Sequence, residues 1–484
     1  MLSLYKEKNK APAAPPKKNP VEQNDPHRFS FEGNKIHFIS LGCPRNLVDS
    51  EVMLGILLKA GYEATEELED ADFIVINTCG FLQASRDESL GTIEESLNTR
   101  KKTAKLIVTG CMVQTHSTDI MGKFPQVDYL LGSGDVEGIL KAVQSPEQGS
   151  QITSAKSYLE AGEVPRRLST PKHFAYLKIA EGCRKRCAYC IIPDIKGPLK
   201  SKGFEQILKE FRILRAQGVK EVILIAQDLG DWGKDIGYKR VDGLVHLLKE
   251  LLKEEGDFWL RLLYLYPDEI TEELVQLMKS DSRICPYLDM PIQHVNNSIL
   301  KSMHRATSRE DIIRTISMLR KEIPDVSIRT SLIVGFPGET EEHFAELCEF
   351  LKEHPLDNVG IFKYSQEPGS RAAALPDQIA GEVKEDRHRR LMEIQQKIVI
   401  SQNEKFVGKK LDVIVEGYHP ESQLLMRARH AGQCPDIDGY IIINDGRKVT
   451  AFGERYQLEV TGVAGYDLVG KIVAPIAPVL AATA

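Results

Sequence analysis

Residues 183–190 read C-R-K-R-C-A-Y-C, three thiols at spacings of four and three inside one short loop. Cys183, Cys187 and Cys190 can converge on a single centre, and soft thiolates of this kind select zinc or an iron–sulfur cluster. A closed structural zinc site needs a fourth protein ligand at short spacing. The nearest histidines are His173 upstream and His246 downstream, which argues against zinc. Four-iron clusters normally take four cysteines, so three thiols leave one iron open to another ligand. The apolar stretch from Phe174 to Ala180 reads as a strand, and Gly182 loosens the backbone just before the first thiol. Sheets and barrels carry their chemistry at the carboxyl ends of their strands, where this loop falls.

The spacing resembles the C-x-x-x-C-x-aromatic-C signature of the radical S-adenosylmethionine (SAM) enzymes, with Tyr189 in the aromatic slot. The resemblance implies a [4Fe-4S] cluster whose open iron chelates the amino and carboxylate groups of SAM. An electron from the cluster then cleaves SAM to a 5′-deoxyadenosyl radical.

Upstream, strand and helix alternate from Lys35. Strand candidates are Ile36 to Leu41, Ala71 to Thr78, Lys105 to Thr109 and Val127 to Leu131, with helices from Asp49, through Arg86 to Leu97, and over Val136 to Val143. This predicts a doubly wound α/β domain with a parallel sheet. Cys43, Cys79 and Cys111 each stand just past the end of a separate strand, each with a glycine beside it (Gly42, Gly80, Gly110). Parallel strands bring those ends to one edge, so the three thiols form a second candidate centre. A three-cysteine domain ahead of a radical SAM domain resembles the methylthiotransferases. The stretch S-L-G-C-P-R-N-L-V-D-S-E-V-M-L-G, Ser40 to Gly55, is similar to the branch that modifies a small-subunit ribosomal protein (RimO type). The branch that modifies tRNA (MiaB type) usually has Gln where this chain has Pro44. The resemblance runs from about residue 35 to about 470.

Length and composition fit a multidomain globular protein: 484 residues, 42% apolar, 27% charged, with a formal charge of −6. That balance gives no global basic face for nucleic acid. No apolar run reaches the roughly 18 residues of a spanning helix. The first 34 residues, with five lysines among prolines up to Pro20, read as a disordered basic arm and not as a secretory signal. Nine cysteines in a chain of this length do not suggest a disulfide framework, and cytosolic thiols held for metal fit better.

After a polar linker the alternation resumes, with strand candidates Phe174 to Ala180, Glu221 to Ala226, Trp259 to Leu265, Tyr287 to Pro291, Ser327 to Val334 and Val359 to Tyr364. Six strands with intervening helices predict a partial (β/α)6 barrel, open on one side and able to admit a macromolecular substrate. Gln227 and Asp228 follow the second strand. Gly335-Phe336-Pro337-Gly338-Glu339 follows the fifth, and in the resembled family this motif lies against the adenosine part of SAM. The resemblance therefore implies cofactor contacts at Tyr189, Gln227, Gly335 and Pro337. Gln293, His294 and Arg305 also match the branch, with no role assigned to His294. Lys196-Gly197 stands where the branch usually has Arg-Gly, and Ser201-Lys202 where it has Ser-Arg. A lysine keeps the charge there and loses the bidentate fork. Cys285 and Cys348 fall in or beside apolar runs and read as packing residues.

Beyond a polar helix through Glu404, short strands with Gly, Pro, Asn and Asp turns predict a small antiparallel β-barrel, resembling the family's TRAM domain. Between Glu404 and Lys471 nine Lys and Arg stand against ten Asp and Glu. That is a weak footprint for phosphate, so strong direct nucleic-acid binding is not expected, and a basic protein partner suits it better. Asp436 and Asp438, in the loop with Cys434, are candidates for contacting such a partner.

The expected domains are the arm 1–34, an N-terminal methylthiotransferase domain with an auxiliary cluster over 35–145, a radical SAM domain over 168–400, and a TRAM-like barrel over 404–472. By resemblance this is a cytoplasmic radical SAM methylthiotransferase with two [4Fe-4S] clusters, on Cys43, Cys79, Cys111 and on Cys183, Cys187, Cys190. It is expected to use two SAM molecules, as methyl donor and radical source, and a flavodoxin- or ferredoxin-like electron donor. Its expected substrate is the β-carbon of an aspartate in ribosomal protein S-twelve. That C–H bond carries no acidic proton, so it calls for radical rather than acid–base chemistry. The alternatives are the tRNA enzyme and a non-catalytic iron–sulfur carrier or metal-stabilised RNA-binding module.

Overall fold

The computed structural model describes residues 33–153, 157–160 and 164–476. The arm expected over 1–34 thus lies outside the described residues up to residue 32. The first sheet is built from β1 (Lys35–Ser40), β2 (Glu63–Ala64), β3 (Phe73–Thr78), β4 (Lys105–Gly110), β5 (Tyr129–Gly132) and β6 (Gly149–Gln151). All are parallel, in the order β2-β1-β3-β4-β5-β6. β3, F-I-V-I-N-T, is buried at every residue, as a central parallel strand covered on both faces must be. The covers are α1 (Pro44–Lys59), α2 (Gln83–Thr99), α3 (Cys111–Lys123) and α4 (Ile139–Gln144). The apolar pattern gives no sign of β2 and β6, which are two and three residues long with no residue buried. It also starts the first helix at Asp49, whereas α1 begins at Pro44, directly after Cys43. Proline suits that first position, because its φ is preset and its missing N–H would have had no helical partner.

The central region contributes β7 (Phe174–Lys178), β8 (Ala180–Glu181), β9 (Lys200–Ser201), β10 (Glu221–Ile225), β11 (Trp259–Leu262), β12 (Ile284–Asp289), β13 (Ser327–Val334) and β14 (Asn358–Lys363). Six of these form an all-parallel sheet, β14-β13-β12-β11-β10-β7, a partial barrel with β7 and β14 at its edges. Its helices are α5 (Ile192–Lys196), α6 (Phe204–Ala216), α7 (Asp242–Leu251), α8 (Glu272–Ser280), α9 (Asn297–Ser302), α10 (Arg309–Glu322), α11 (Glu341–Glu353) and α12 (Gly381–Glu404). Alternate residues of each strand point to opposite faces. Leu177, Leu224, Leu262 and Leu288 meet the helices, through Phe211, Leu244, Leu274 and Phe344. Phe174, Tyr176, Ile223, Trp259 and Tyr287 point the other way, into the barrel. That interior is filled by other parts of the chain: Leu47 and Val48 of α1, and Ile414, Cys434 and Ile437 from beyond α12.

The last domain is a closed five-stranded barrel of β15 (Lys410–His419), β16 (Ser422–His430), β17 (Ile441–Asp445), β18 (Arg455–Ala464) and β19 (Asp467–Pro475). Its pairings are antiparallel except for β17 with β19. The apolar residues after Lys471 run on in β19 to Pro475, and residues 477–484 lie outside the described residues. The barrel is clamped to the foot of the second sheet by buried charges. Arg429 reaches Glu221 at 2.8 Å and Glu416 at 2.6 Å, Arg261 reaches Glu221 at 2.6 Å, and His173 Nε2 meets Glu416 at 3.1 Å. Arg261 also donates to the Ala431 carbonyl at 2.8 Å. Asp438 belongs to this clamp: its side chain is 2% exposed and lies 3.6 Å from Arg329, so it does not face a substrate. Cys434 is a free thiol, fully buried. Among the described residues no helix is long and apolar enough to cross a membrane.

Candidate active site

The cysteine loop leaves the end of β7 and returns through β9, and its neck is closed by the two-residue pairing of β8 with β9. Gly182 holds a φ of +74°, and a Cβ there would lie 2.0 Å from the Pro198 carbonyl oxygen, so only glycine lets the two ends of the loop meet. Cys183 N–H donates to Gly197 O at 3.2 Å, Ala188 N–H to Met303 O at 2.9 Å, and Ala372 N–H to Ala188 O at 2.8 Å. The loop is therefore fixed at its neck and tip by backbone bonds. Ala188 and Tyr189 pack with Phe336, Met303 and Tyr364, which joins the loop to the Gly335–Glu339 motif. Cys187 Sγ lies 3.2 Å from the Tyr266 hydroxyl, and the Arg305 guanidinium lies over the Tyr266 ring, 3.8 Å from its centroid. Burial pushes the Cys183 thiol up to about 11 and the Cys190 thiol up to about 12.

In the first domain the three cysteines follow β1, β3 and β4, which are neighbours in the sheet. Adjacent strands stand roughly 4.8 Å apart, so thiols at three neighbouring ends fall within reach of one centre. The turns touch: a Cβ on Gly42, whose φ is +89°, would lie 2.8 Å from the Cys79 Cβ. Asn46 ties the group together, donating from Nδ2 to Leu41 O and Thr78 O at 3.0 Å each, with its Oδ1 3.7 Å from Cys111 Sγ. Cys43 is the residue preceding α1, and Cys111 is the first residue of α3. Burial acts to raise the Cys43 thiol, yet Arg45, Lys196 and the N–H groups of Asn46 and Arg45 outweigh it and hold it below the usual range. Cys111, more deeply enclosed, is pushed up by burial to about 12.

The two sets face each other. Cys111 packs against Ile191 and Ile195, just past the cysteine loop. A cavity of about 90 Å³ is lined by Cys183, Cys187, Cys190, Tyr189 and Gln227 together with Arg45, Lys185, Ile192 and Tyr266. Arg45 comes from the first domain, two residues after Cys43. It donates from Nη1 to Ala226 O at the end of β10 at 2.8 Å, and its guanidinium lies 5.0 Å from the Tyr264 ring centroid. Beneath the loop, Asp228, Asp231 and Glu269 form a buried carboxylate group. Lys185 occupies it, 2.9 Å from Glu269 and 3.2 Å from Asp228, and Lys234 adds contacts to Asp231 at 2.5 Å and Glu269 at 3.0 Å. Burial, then a hydrogen bond shared with Glu269, pushes the Asp228 carboxyl well above the carboxylate range.

Of the residues expected to contact SAM, Tyr189 and Gln227 line this cavity and Gly335 and Pro337 do not. A Cβ on Gly335 would lie 2.3 Å from Lys384 of α12, so the close approach there is to protein. His294 is fully buried, with Nδ1 accepting from Asn296 N–H at 3.0 Å, and burial lowers it to about 3, a neutral packing residue. Lys196 and Lys202, where the branch usually has arginine, make internal pairs. Lys196 lies 3.2 Å from Asp49 and 2.9 Å from Glu181, and Lys202 pairs with Glu210. Arg45, Lys185, Tyr266, Asp231 and Glu269 carry no motif of their own. The only local signal for Arg45 is its place in G-C-P-R-N.

The residues fit the groups that the motifs imply. None of the six thiols is in a disulfide, each set offers three, and Gln227 Oε1 is buried beside the cavity with no hydrogen-bond partner among the described residues.

Three family models match in succession: the uncharacterized protein family UPF0004 over residues 35–132, the radical SAM superfamily over 177–351 and the TRAM domain over 407–473. Among solved structures, the radical SAM methyltransferase TsrM from Kitasatospora setae, with tryptophan and a SAM analogue bound, superposes with a TM-score of 0.50 at 13% identity, covering 79% of this chain and 78% of that one. This likeness is one of fold. Curated relatives named ribosomal protein uS12 methylthiotransferase RimO are 72% identical in Protochlamydia amoebophila (92% of this chain, 94% of the relative) and 59% in Chlamydia abortus (92% and 98%). A relative of the same name in Bdellovibrio bacteriovorus is 45% identical, over 91% of this chain and 98% of its own length. These names do not favour the tRNA-modifying alternative. With thiols at both strand-end sites, a radical SAM fold and relatives matched nearly end to end, this chain belongs to the RimO family of ribosomal protein uS12 methylthiotransferases.

Proposed function

We propose that this protein attaches a methylthio group to the β-carbon of an aspartate in ribosomal protein uS12, using two [4Fe-4S] clusters and two molecules of SAM. The observation that carries the reading is a three-thiol set lining one small cavity beside Arg45 of the first domain, with Cys111 of the other set packed against Ile191 and Ile195 just past the loop. Cys183, Cys187 and Cys190 would hold one cluster, and Cys43, Cys79 and Cys111 the other. When bound, these groups supply the electron that cleaves SAM into methionine and a 5′-deoxyadenosyl radical, and the sulfur that is methylated and inserted.

The chain's own residues set the geometry. The closed neck and pinned tip fix the three thiols of the loop before any metal arrives. The unpaired Gln227 Oε1 offers an acceptor to the amino group of SAM, and Tyr189 packs the loop against Phe336. Asn46 holds the first-domain turns in register. The protein works in the cytoplasm with a flavodoxin- or ferredoxin-like donor. The near-balanced charge of the last domain supports a protein substrate over strong direct nucleic-acid binding.

The test is anaerobic. The reconstituted protein is given SAM and a reductant, then offered uS12, or a peptide carrying its target loop, in parallel with unmodified tRNA. Mass spectrometry is expected to find the methylthio group on the protein substrate alone. Addition to tRNA alone would overturn the substrate, and absence of 5′-deoxyadenosine would overturn the chemistry.

A further inference from the structure

The geometry points to Arg45 as the residue that grips the carboxylate of the substrate aspartate and so selects that side chain. This rests on the function proposed above. In that reaction the carbon attacked is one bond from the carboxylate carbon. A side chain placed between the two cysteine sets therefore brings an anion with it.

The site holds one cation suited to that anion. Arg45 is half-buried and lines the cavity with Cys183, Cys187 and Cys190, although its own neighbour in sequence is Cys43. It is oriented from two sides, by the Ala226 carbonyl at 2.8 Å and the Tyr264 ring at 5.0 Å. A guanidinium has five donors in a rigid fork that matches a carboxylate. The Ala226 carbonyl and the Cys43 sulfur each take a donor from it, and among the described residues no carboxylate forms an ion pair with Arg45. Its neighbours differ. Lys185 also lines the cavity but is held by Asp228 and Glu269, and Lys196 by Asp49 and Glu181. Arg305 is buried, spends Nη2 on the Pro291 carbonyl at 2.5 Å, and does not line the cavity. A guanidinium with no carboxylate partner, at the meeting point of two centres, keeps donors of its fork for an incoming carboxylate.

The test uses the reconstituted holoenzyme with SAM and two peptides of the uS12 target loop, one carrying the aspartate and one with asparagine in its place. Binding is followed by anaerobic fluorescence anisotropy, and iron per chain is measured for every variant. Wild type is expected to bind the aspartate peptide roughly 10- to 100-fold more tightly, the range of a charge-assisted hydrogen bond. Arg45→Gln with unchanged iron is expected to erase that preference and leave the asparagine peptide unaffected. Arg45→Lys, which keeps the charge and loses the fork, is expected to retain part of it. It is the decisive variant if the glutamine form takes up less iron. A preference left at the wild-type size in either variant with full iron, or an equal loss for both peptides, overturns the assignment. Wild-type protein that methylthiolates neither peptide nor intact uS12 would instead overturn the proposed function, whatever the variants do.

Discussion

Arg429 reaches out of the C-terminal barrel and donates from Nη2 to Glu221 Oε2 at 2.8 Å, at side-chain exposures of 2% and 0%. Glu221 is the first residue of β10, so the clamp fastens the last domain to the strand that leads into Ala226, Gln227 and Asp228. Arg429→Met leaves Glu221 and Glu416 each with one partner fewer in a buried setting. Removing one member of such a pair costs about 3–5 kcal/mol. Chemical denaturation is expected to show that loss. A midpoint unchanged from wild type would mean that the clamp contributes nothing.

The same clamp makes the fold sensitive to acid. Burial acts to raise Glu416, but Arg429, His173 and Arg427 outweigh it and bring its carboxyl from 4.5 to about 2. The folded-state value lies below the unfolded one, so the unfolded chain takes up the proton first as pH falls. The stabilisation is whole above about pH 4.5 and is lost progressively toward pH 2. Stability measured across that window is expected to fall less steeply in Glu416→Gln than in wild type.

The two thiol sets are expected to fail separately. Cys183→Ala removes the centre that meets SAM, so 5′-deoxyadenosine formation is expected to vanish and iron to fall from about eight to about four per chain. Cys111→Ala is expected to lose the same amount of iron yet keep cleaving SAM, with no methylthio product. Loss of SAM cleavage in both variants would contradict two independent centres.

Lys185 sits inside the cysteine loop and anchors it to Asp228 and Glu269. Lys185→Met leaves three buried carboxylates with Lys234 as their remaining cation, at a cost of about 1–3 kcal/mol. Iron uptake by apo-protein is expected to slow several-fold, because the loop loses one of its anchors. Uptake at the wild-type rate would show that the backbone bonds alone order the loop.

Both candidate centres were legible in the sequence, for different reasons. Cys183, Cys187 and Cys190 are close in the chain, so spacing alone defines them. Cys43, Cys79 and Cys111 are far apart, but strand ends flanked by glycine bring them to one edge of a parallel sheet. What escaped was whatever depends on long side chains meeting across the fold. Arg45 bonds to Ala226, 181 residues away, and Lys196 pairs with Asp49, 147 residues away. No local pattern distinguishes either from a surface cation. Asp438 shows the reverse error. Its turn-rich sequence suggests exposure, whereas its side chain is turned inward onto Arg329. The start of α1 and the whole of α3 escaped for a simpler cause. Each helix begins at or beside a cysteine, where the eye looks for a ligand and not for a cap.

The residues that fill the second sheet's interior come from both ends of the chain, Val48 from one and Ile414, Cys434 and Ile437 from the other. The stretches that family models match one by one are thus not separate bodies that can be swapped. A gene that lost its last quarter would leave Trp259, Cys285 and Tyr287 facing water, and a last domain borrowed from a distant relative would arrive with the wrong stopper. Because one packed interior holds them all, a change at Cys434 or Ile437 is expected to be accompanied by changes in the aromatic residues beneath them.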